Sequence, residues 1–176
     1  MSHIVEEVVG LYRVIQFKEF RKTQGVTFDI IPIKALGCID AVDRVLHVSD
    51  AVSPAAISGV SRPWYMHTHQ QDNLVVLSGI RHVDLYTPKH GRIEQFTVTP
   101  DGVYKKDKLI ADGGAMLVWP KGVFHRIVSG DGGSASINLA THEPGFDINT
   151  NFNIYDVNID NGQFHLLREG FQDQAT

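Results

Sequence analysis

GAMLVWPKGVFH, residues 114–125, is the stretch on which the fold turns. Gly114 allows a tight turn to open a strand, Pro120 sits where an edge strand ends, and Gly122 supplies the turn back. His125 then begins the returning strand, with its side chain available to the interior. Upstream stands His67-Thr68-His69. On a strand, residues two apart point to the same face, so both imidazoles project to one side with Tyr65, while Met66 and Thr68 face away. Three neutral imidazoles aimed into one barrel mouth suit a divalent transition metal, with Zn, Fe, Ni, Cu and Mn fitting about equally well. The expectation is one ion per chain, held by His67, His69 and His125.

Around these stretches the chain reads as short strands rich in β-branched and aromatic residues, from TFDIIPI (27–33) through NLVVLSG (73–79), RHVDLYT (81–87) and ASINLATH (135–142) to QFHLLRE (163–169). Lys89-His90-Gly91, Pro100-Asp101-Gly102, Asp131-Gly132-Gly133 and Asn161-Gly162 each mark a reversal. Many short strands without a helical period between them predict an all-β sandwich or barrel. Residues 3 to 16 read instead as a helix, with Ser2 as cap, Glu6 and Glu7 in the first turns, and Ile4, Val8, Leu11 and Ile15 at helical spacing. No linker or fixed-period repeat interrupts the pattern. The expectation is one domain over residues 1–176: N-terminal helix and arm 1–26, barrel about 27–160, C-terminal strand and tail 161–176.

The 176 residues are 43% apolar and 20% charged, an ordinary globular mix. A net charge of −4 and a pI of about 6.1 come without a basic stripe, which argues against nucleic acid as a partner. Lys105, Lys106 and Lys108 alternate with Asp101 and Asp107 in what reads as a solvated hairpin loop. Cys38 is the single cysteine, so it forms no intrachain disulfide; beside Leu36, Gly37 and Ile39 it reads as a buried small hydrophobe. MSHIVEEVVG carries acids where a signal peptide has basic residues, and no apolar run approaches the ~18 residues of a membrane span. A cytoplasmic protein with no membrane partner is expected.

The two histidine stretches resemble the motifs of the cupin superfamily. The family's second motif, G-x5-P-x-G-x2-H-x3-N, is matched by Gly114, Pro120, Gly122 and His125, with Ser129 in the Asn position. Of its first motif, G-x5-H-x-H-x3,4-E-x6-G, the chain has His67, His69 and Gly79, while Gly59 lies too far upstream and the Glu is missing. The resemblance implies a double-stranded β-helix, the jelly-roll cupin barrel. It also implies a fourth ligand. Counting back from Gly79 gives Asp72, and counting forward from His69 gives Asn73. Strand parity favours Asp72, whose carboxylate suits a divalent ion better than an amide. Gln70 and Gln71 stay open as neutral ligands, and so does a purely structural turn.

Within that superfamily the chain also resembles nucleotide-sugar epimerases and ketoisomerases of the dTDP-4-dehydrorhamnose 3,5-epimerase (RmlC-like) type. The segments that carry this are SRPWYMH and ATHEPGFDINTNFNIYDV. There a histidine acts as base beside a ketone without metal, which would give His67 that role and Arg62 the diphosphate. Three functions are thus expected in order: a metal-dependent enzyme (dioxygenase, isomerase or lyase) on a small organic molecule, a metal-free sugar epimerase or ketoisomerase, and a non-enzymatic small-ligand cupin. Tyr65 and His142 are the catalytic candidates beside the ligands. His3, His47, His82, His90 and His165 lack a partner at ligand spacing. Trp64 and Trp119 are expected to pack the barrel end. Exposed sheet edges, with residues 3–16 and 27–33 able to cover an edge in a partner, predict a homodimer.

Overall fold

In the computed structural model, which describes residues 3–174, the chain is almost entirely strand. The N-terminal segment forms β1 (Ile4–Val8) and β2 (Tyr12–Gln16), followed by β3 (Lys18–Thr23) and β4 (Val26–Ile30). Next come β5 (Ala41–His47), β6 (Val52–Ser53) and β7 (Trp64–Met66), then the long β8 (Gln70–Tyr86). β9 (Glu94–Thr99), β10 (Gly102–Lys105), β11 (Lys108–Asp112) and β12 (Ala115–Trp119) lead into a second long strand, β13 (Phe124–His142). A single-turn helix α1 (Ile148–Asn151) precedes β14 (Ile154–Val157) and β15 (Phe164–Arg168).

β8 and β13 are antiparallel along their whole length, from Phe124 opposite Tyr86 to His142 opposite Gln70. Each belongs to two half-sheets. Residues 70–79 of β8 carry β12, β2 and β1 on one side and β13 with β5 on the other. Residues 81–86 carry β9, β10 and β11, while the first part of β13 continues to β7, β14 and β15. The sheet folds over at Gly79 (φ +73°) and Gly133 (φ +71°). Both glycines are required there. A Cβ on Gly79 would fall inside the Gly133 carbonyl oxygen, and one on Gly133 would stand 2.5 Å from the His47 carbonyl oxygen.

Period-two alternation then sorts the side chains. Leu74, Val76 and Leu117 of one half-sheet meet Val83, Leu85 and Phe96 of the other in the central core. Each such side chain stabilises the fold by roughly 1.5–3 kcal/mol through burial. The intervening Val75, Met116 and Val118 point outward, under Ile31, Leu36 and Ile39. On the far side Trp64, Tyr86, Phe124 and Tyr155 form a third cluster. This is the all-β double-stranded β-helix expected from the motifs.

Three local expectations are corrected. Residues 4–16 form a hairpin rather than a helix: Gly10 (φ +79°) reverses the chain, and Ile4, Val5, Val8, Val14 and Ile15 are β-branched residues that favour the ladder with β12. The proposed cap, Ser2, lies outside the described residues. Asp131-Gly132-Gly133 is not a reversal but a bulge inside β13, where the five steps from Ser129 to Ser134 oppose the two steps from Arg81 to Gly79. Cys38 is exposed rather than buried and donates to the Asp40 carboxylate at 3.3 Å. No helix among the described residues is long and apolar enough to cross a membrane.

Candidate active site

The two inner faces leave a cavity of about 180 Å³ between them. Asp72, which alternation on β8 turns inward with Gln70 and Leu74, lines it. Asp72 Oδ2 is 3.0 Å from His67 Nε2 and 3.9 Å from His125 Nε2. Its other oxygen accepts from Gln70 Nε2 at 2.6 Å and Asn138 Nδ2 at 2.7 Å. Gln70 is itself fixed by Asn151 Nδ2 at 2.8 Å. His67, Asp72 and His125 are each at most 5% exposed.

The two imidazoles differ in what their nitrogens face. His67 donates from Nδ1 to the carbonyl of Asn151 and turns Nε2 to Asp72, so that with Asp72 ionised both ring nitrogens meet acceptors and both carry protons. Burial alone would push its pKa down, but the Asp72 charge and hydrogen bond outweigh burial and raise it. Burial likewise opposes ionisation of Asp72, and the two histidines, His67 first, hold its carboxyl well below the usual carboxylate range. Both shifts run toward the charged forms and favour an imidazolium–carboxylate ion pair. His125 donates from Nδ1 to the Val123 carbonyl at 3.2 Å, and burial together with the nearby His67 charge lowers its pKa to about 4. It is therefore neutral at pH 7, with an unprotonated Nε2 toward the cavity.

Aromatic rings hold these groups in place. Trp119 lies over His125 with centroids 5.2 Å apart, and Phe152 meets His67 edge-on at 5.4 Å. Tyr65 lines the cavity 5.9 Å from the His125 ring, and burial raises its phenol pKa, which keeps it protonated.

His69 is not brought to the site. β7 ends at Met66 and β8 begins at Gln70, so residues 67–69 are outside the ladder and the two-residue parity fails. His69 Nδ1 bonds Thr68 Oγ1 at 3.0 Å, and its ring packs over Gly145. Gln71 faces away, accepting from Arg13 at 3.3 Å, and Asn73 donates to the Leu139 carbonyl. His142 stacks on Phe146 at 3.6 Å, outside the cavity. Arg62 lies 3.8 Å from Asp84 beside Arg126, and neither arginine lines the cavity. Trp64 packs in the outer cluster, whereas Trp119, expected with it at the barrel end, belongs to the central core and lines the cavity.

Sequence reasoning passed over Arg81, Asp43 and Ser136 and set His47 aside as lacking a partner at ligand spacing; all four line the cavity, as does Asn138. Parity carried the signal: Arg81 is in phase with Val83 and Leu85, and Asp43 with Val45 and His47.

No protein-family model matches the chain, and no curated protein does. Solved structures do. The sugar 3,4-ketoisomerase of Thermoanaerobacterium thermosaccharolyticum, in complex with TDP, superposes with a TM-score of 0.54 at 16% identity, covering 80% of this chain and 85% of that one. The fold is that of an RmlC-like cupin. A dTDP sugar isomerase from Desulfovibrio desulfuricans gives 0.55 at 16% identity (78% and 85% covered). The rmlC epimerase of Mycobacterium tuberculosis gives 0.56 at 12% (81% and 68%). At these identities the likeness of this chain to them is one of fold.

Proposed function

We propose that this cupin is a proton-transfer isomerase or epimerase acting, without a metal, at a carbon beside the carbonyl of a small sugar-like compound. The observation that carries this is the division of labour at Asp72: one imidazole is charged and the other is neutral with a bare nitrogen. Removing a proton α to a carbonyl needs a base that is free at neutral pH, and the oxyanion that develops needs positive charge or a proton nearby. His125 Nε2 meets the first need. The His67 imidazolium and the Tyr65 phenol meet the second. A proton taken by His125 from a hydroxyl-bearing α-carbon and returned to the former carbonyl carbon, with the hydroxyl proton passing to the former carbonyl oxygen by way of the Tyr65 phenol, moves the carbonyl by one position; returned to the other face of the α-carbon, it inverts that centre. The base role thus moves from His67, where the sequence suggested it, to His125.

The ketoisomerases and epimerase of the same fold favour a sugar. The cavity is below the ~300–1,000 Å³ of sites that enclose drug-sized ligands. It therefore suits a reacting ring alone, and the arginine in it, Arg81, sits deep rather than at a diphosphate subsite.

One observation favours a second, metal-dependent reading. His67 Nε2, Asp72 Oδ2 and His125 Nε2 lie within 4.8 Å of one another, with both Nδ1–H groups donating to carbonyls as in ligating histidines. This donor set fits a divalent ion in a two-His-one-carboxylate arrangement, without His69. An ion there would supply Lewis-acid polarisation of a carbonyl.

One experiment separates the readings. Chelator-treated protein is incubated in D2O with a panel of keto sugars and TDP-4-keto-6-deoxyglucose, and carbon-bound deuterium is followed by NMR. Exchange that survives chelation and falls at least ~100-fold in His125→Gln is expected. Exchange that returns only with added Fe, Zn, Ni, Mn or Cu overturns the metal-free reading, and binding without any exchange leaves a non-enzymatic ligand-binding cupin.

A further inference from the structure

Three buried polar side chains in the cavity have no part in the proton transfer, and their hydrogen-bonding capacity is not used up by the protein. Arg81 is 2% exposed. Its Nε donates to Ser134 Oγ at 3.0 Å and its Nη2 to the Val45 carbonyl at 3.2 Å. No carboxylate of the described residues stands within ion-pairing distance of it. Burial lowers its pKa only to about 10, so it stays charged at neutral pH. The two carboxylates of the cavity are engaged elsewhere: Asp72 with His67, and Asp43 with Asn138 Nδ2 at 3.1 Å. Ser136 and Trp119 line the same cavity, and Ser136 Oγ and Trp119 Nε1, both buried, have no hydrogen-bond partner. Ser136 is one rung along β13 from Ser134, directly opposite Val45, whose carbonyl holds Arg81.

A buried cation without a counter-ion and two buried donors without acceptors all weigh against the fold, and native proteins keep few of them. All three are donors, so a single acceptor-rich anion answers all of them. With Nε and one Nη2 hydrogen committed, Arg81 still offers its Nη1/Nη2 edge, the side that meets a planar carboxylate through two parallel hydrogen bonds. Asp43 and Asp72 in the same small cavity disfavour a dianion such as phosphate. We propose that the cavity binds a small hydroxylated or keto carboxylic acid of the sugar-acid type, its carboxylate on Arg81 and Ser136 and its carbonyl end toward Trp119 and His125. The orientation, with the reacting carbon at His125, rests on the acid–base reading; the carboxylate site itself does not.

The test uses the full chain and matched ligands that differ in one group: glucuronate and galacturonate against glucose, galactose and glucuronamide, with inorganic phosphate as the anion control. Calorimetry and thermal melting read binding. Saturable binding of at least one uronate is expected, tighter by 10-fold or more than its neutral counterparts and than phosphate. Ser136→Ala is the decisive variant because it removes an unpaired hydroxyl. It is expected to raise the melting temperature of the free protein while weakening uronate binding at least 5-fold. Arg81→Lys, which keeps the charge and loses the fork, is expected to weaken it further. Glucuronamide or phosphate binding as tightly as the uronates, no uronate binding at all, or Ser136→Ala leaving the affinity unchanged would overturn the assignment. Uronate binding without deuterium exchange sinks the acid–base reading and leaves the carboxylate site. Exchange on neutral sugars alone does the reverse.

Discussion

The Asp72 carboxylate and the His67 imidazole lie 3.0 Å apart and almost completely buried, and each shifts the other toward its charged form. Breaking such a pair by removing one partner costs about 3–5 kcal/mol, less whatever is recovered when the other partner discharges. Asp72→Asn is nearly isosteric and is expected to leave His67 neutral at pH 7, which ring-proton NMR reads directly. The sign follows from the two shifts. The raised His67 contributes stability that is full below its ordinary 6.5 and is lost as pH rises through its folded value. The depressed Asp72 contributes stability that is full above its ordinary 3.8 and is lost on acidification. The advantage of the wild type over Asp72→Asn should therefore be greatest between about pH 4 and 6.5. A neutral His67 in the wild type at pH 6 would remove the ion pair from the account.

His69→Ala provides the contrast. Its ring rests on Gly145 and touches none of the groups around Asp72. Deuterium exchange and metal affinity should both be unchanged, and stability should shift by no more than about 0.5 kcal/mol. A loss of metal binding in this variant would restore the three-histidine site that the H-x-H spacing suggests.

These two residues also show what was legible. The barrel could be read because β-branched alternation and the Gly114–His125 spacing are local signals, and Asp72 could be placed because it continues the alternation of β8. His69 could not, since nothing in the sequence announces that the strand stops at Met66. The hairpin at residues 4–16 was hidden because Ile4, Val8, Leu11 and Ile15 satisfy a helical period, although Ile4 and Ile15 pair across the ladder on one side and Val8 and Leu11 pack into the central core on the other. Arg81 was hidden for a different reason. A charged residue at an inward position contradicts the usual preference, and only its phase with Val83 and Leu85 reveals it.

β3 and β4 form a separate two-stranded sheet, all of whose residues are exposed, including Phe20, Val26, Phe28 and Ile30. An isolated hairpin is marginal in water, and an apolar one calls for a covering surface. A homodimer built on this hairpin is the expected state in light scattering, with Phe20→Ser/Phe28→Ser shifting it to monomer. A wild-type monomer at micromolar concentration would rule it out.

Gly79→Ala should be among the most damaging single changes outside the site. The alanine would have to adopt φ near +73° and push its Cβ into the Gly133 carbonyl. A loss of about 3 kcal/mol or more is expected from strain and overlap together. Gly59→Ala (φ +80°, with nothing within 4 Å) carries only the conformational part, about 1–2 kcal/mol. Equal losses for the two in urea denaturation would mean that the fold-over does not depend on the close approach.

The last prediction concerns Glu94, which does not line the cavity. Its carboxylate is almost fully buried and accepts from His90 Nε2 and Arg92 Nε, both at 2.8 Å, with Lys105 Nζ at 3.2 Å. Lys105 also bonds Tyr12 and Glu6, so β9, β10 and the N-terminal hairpin are tied together at this point. Burial opposes ionisation of Glu94, but the hydrogen bonds from His90, Arg92 and Lys105 prevail and lower its pKa to about 2. A carboxyl whose folded pKa is depressed contributes stability that is complete above its unfolded value near 4.5 and is lost as pH falls toward the folded value. Glu94→Gln leaves Lys105 and Arg92 facing a neutral amide. It should cost about 1–3 kcal/mol at pH 7, the range for hydrogen bonds to charged groups. In urea titrations from pH 7 downward, the gap between wild type and Glu94→Gln should hold constant to about pH 4.5 and then narrow steadily toward pH 2. A gap that stays the same across that window would show that Glu94 acts through packing and not through its charge.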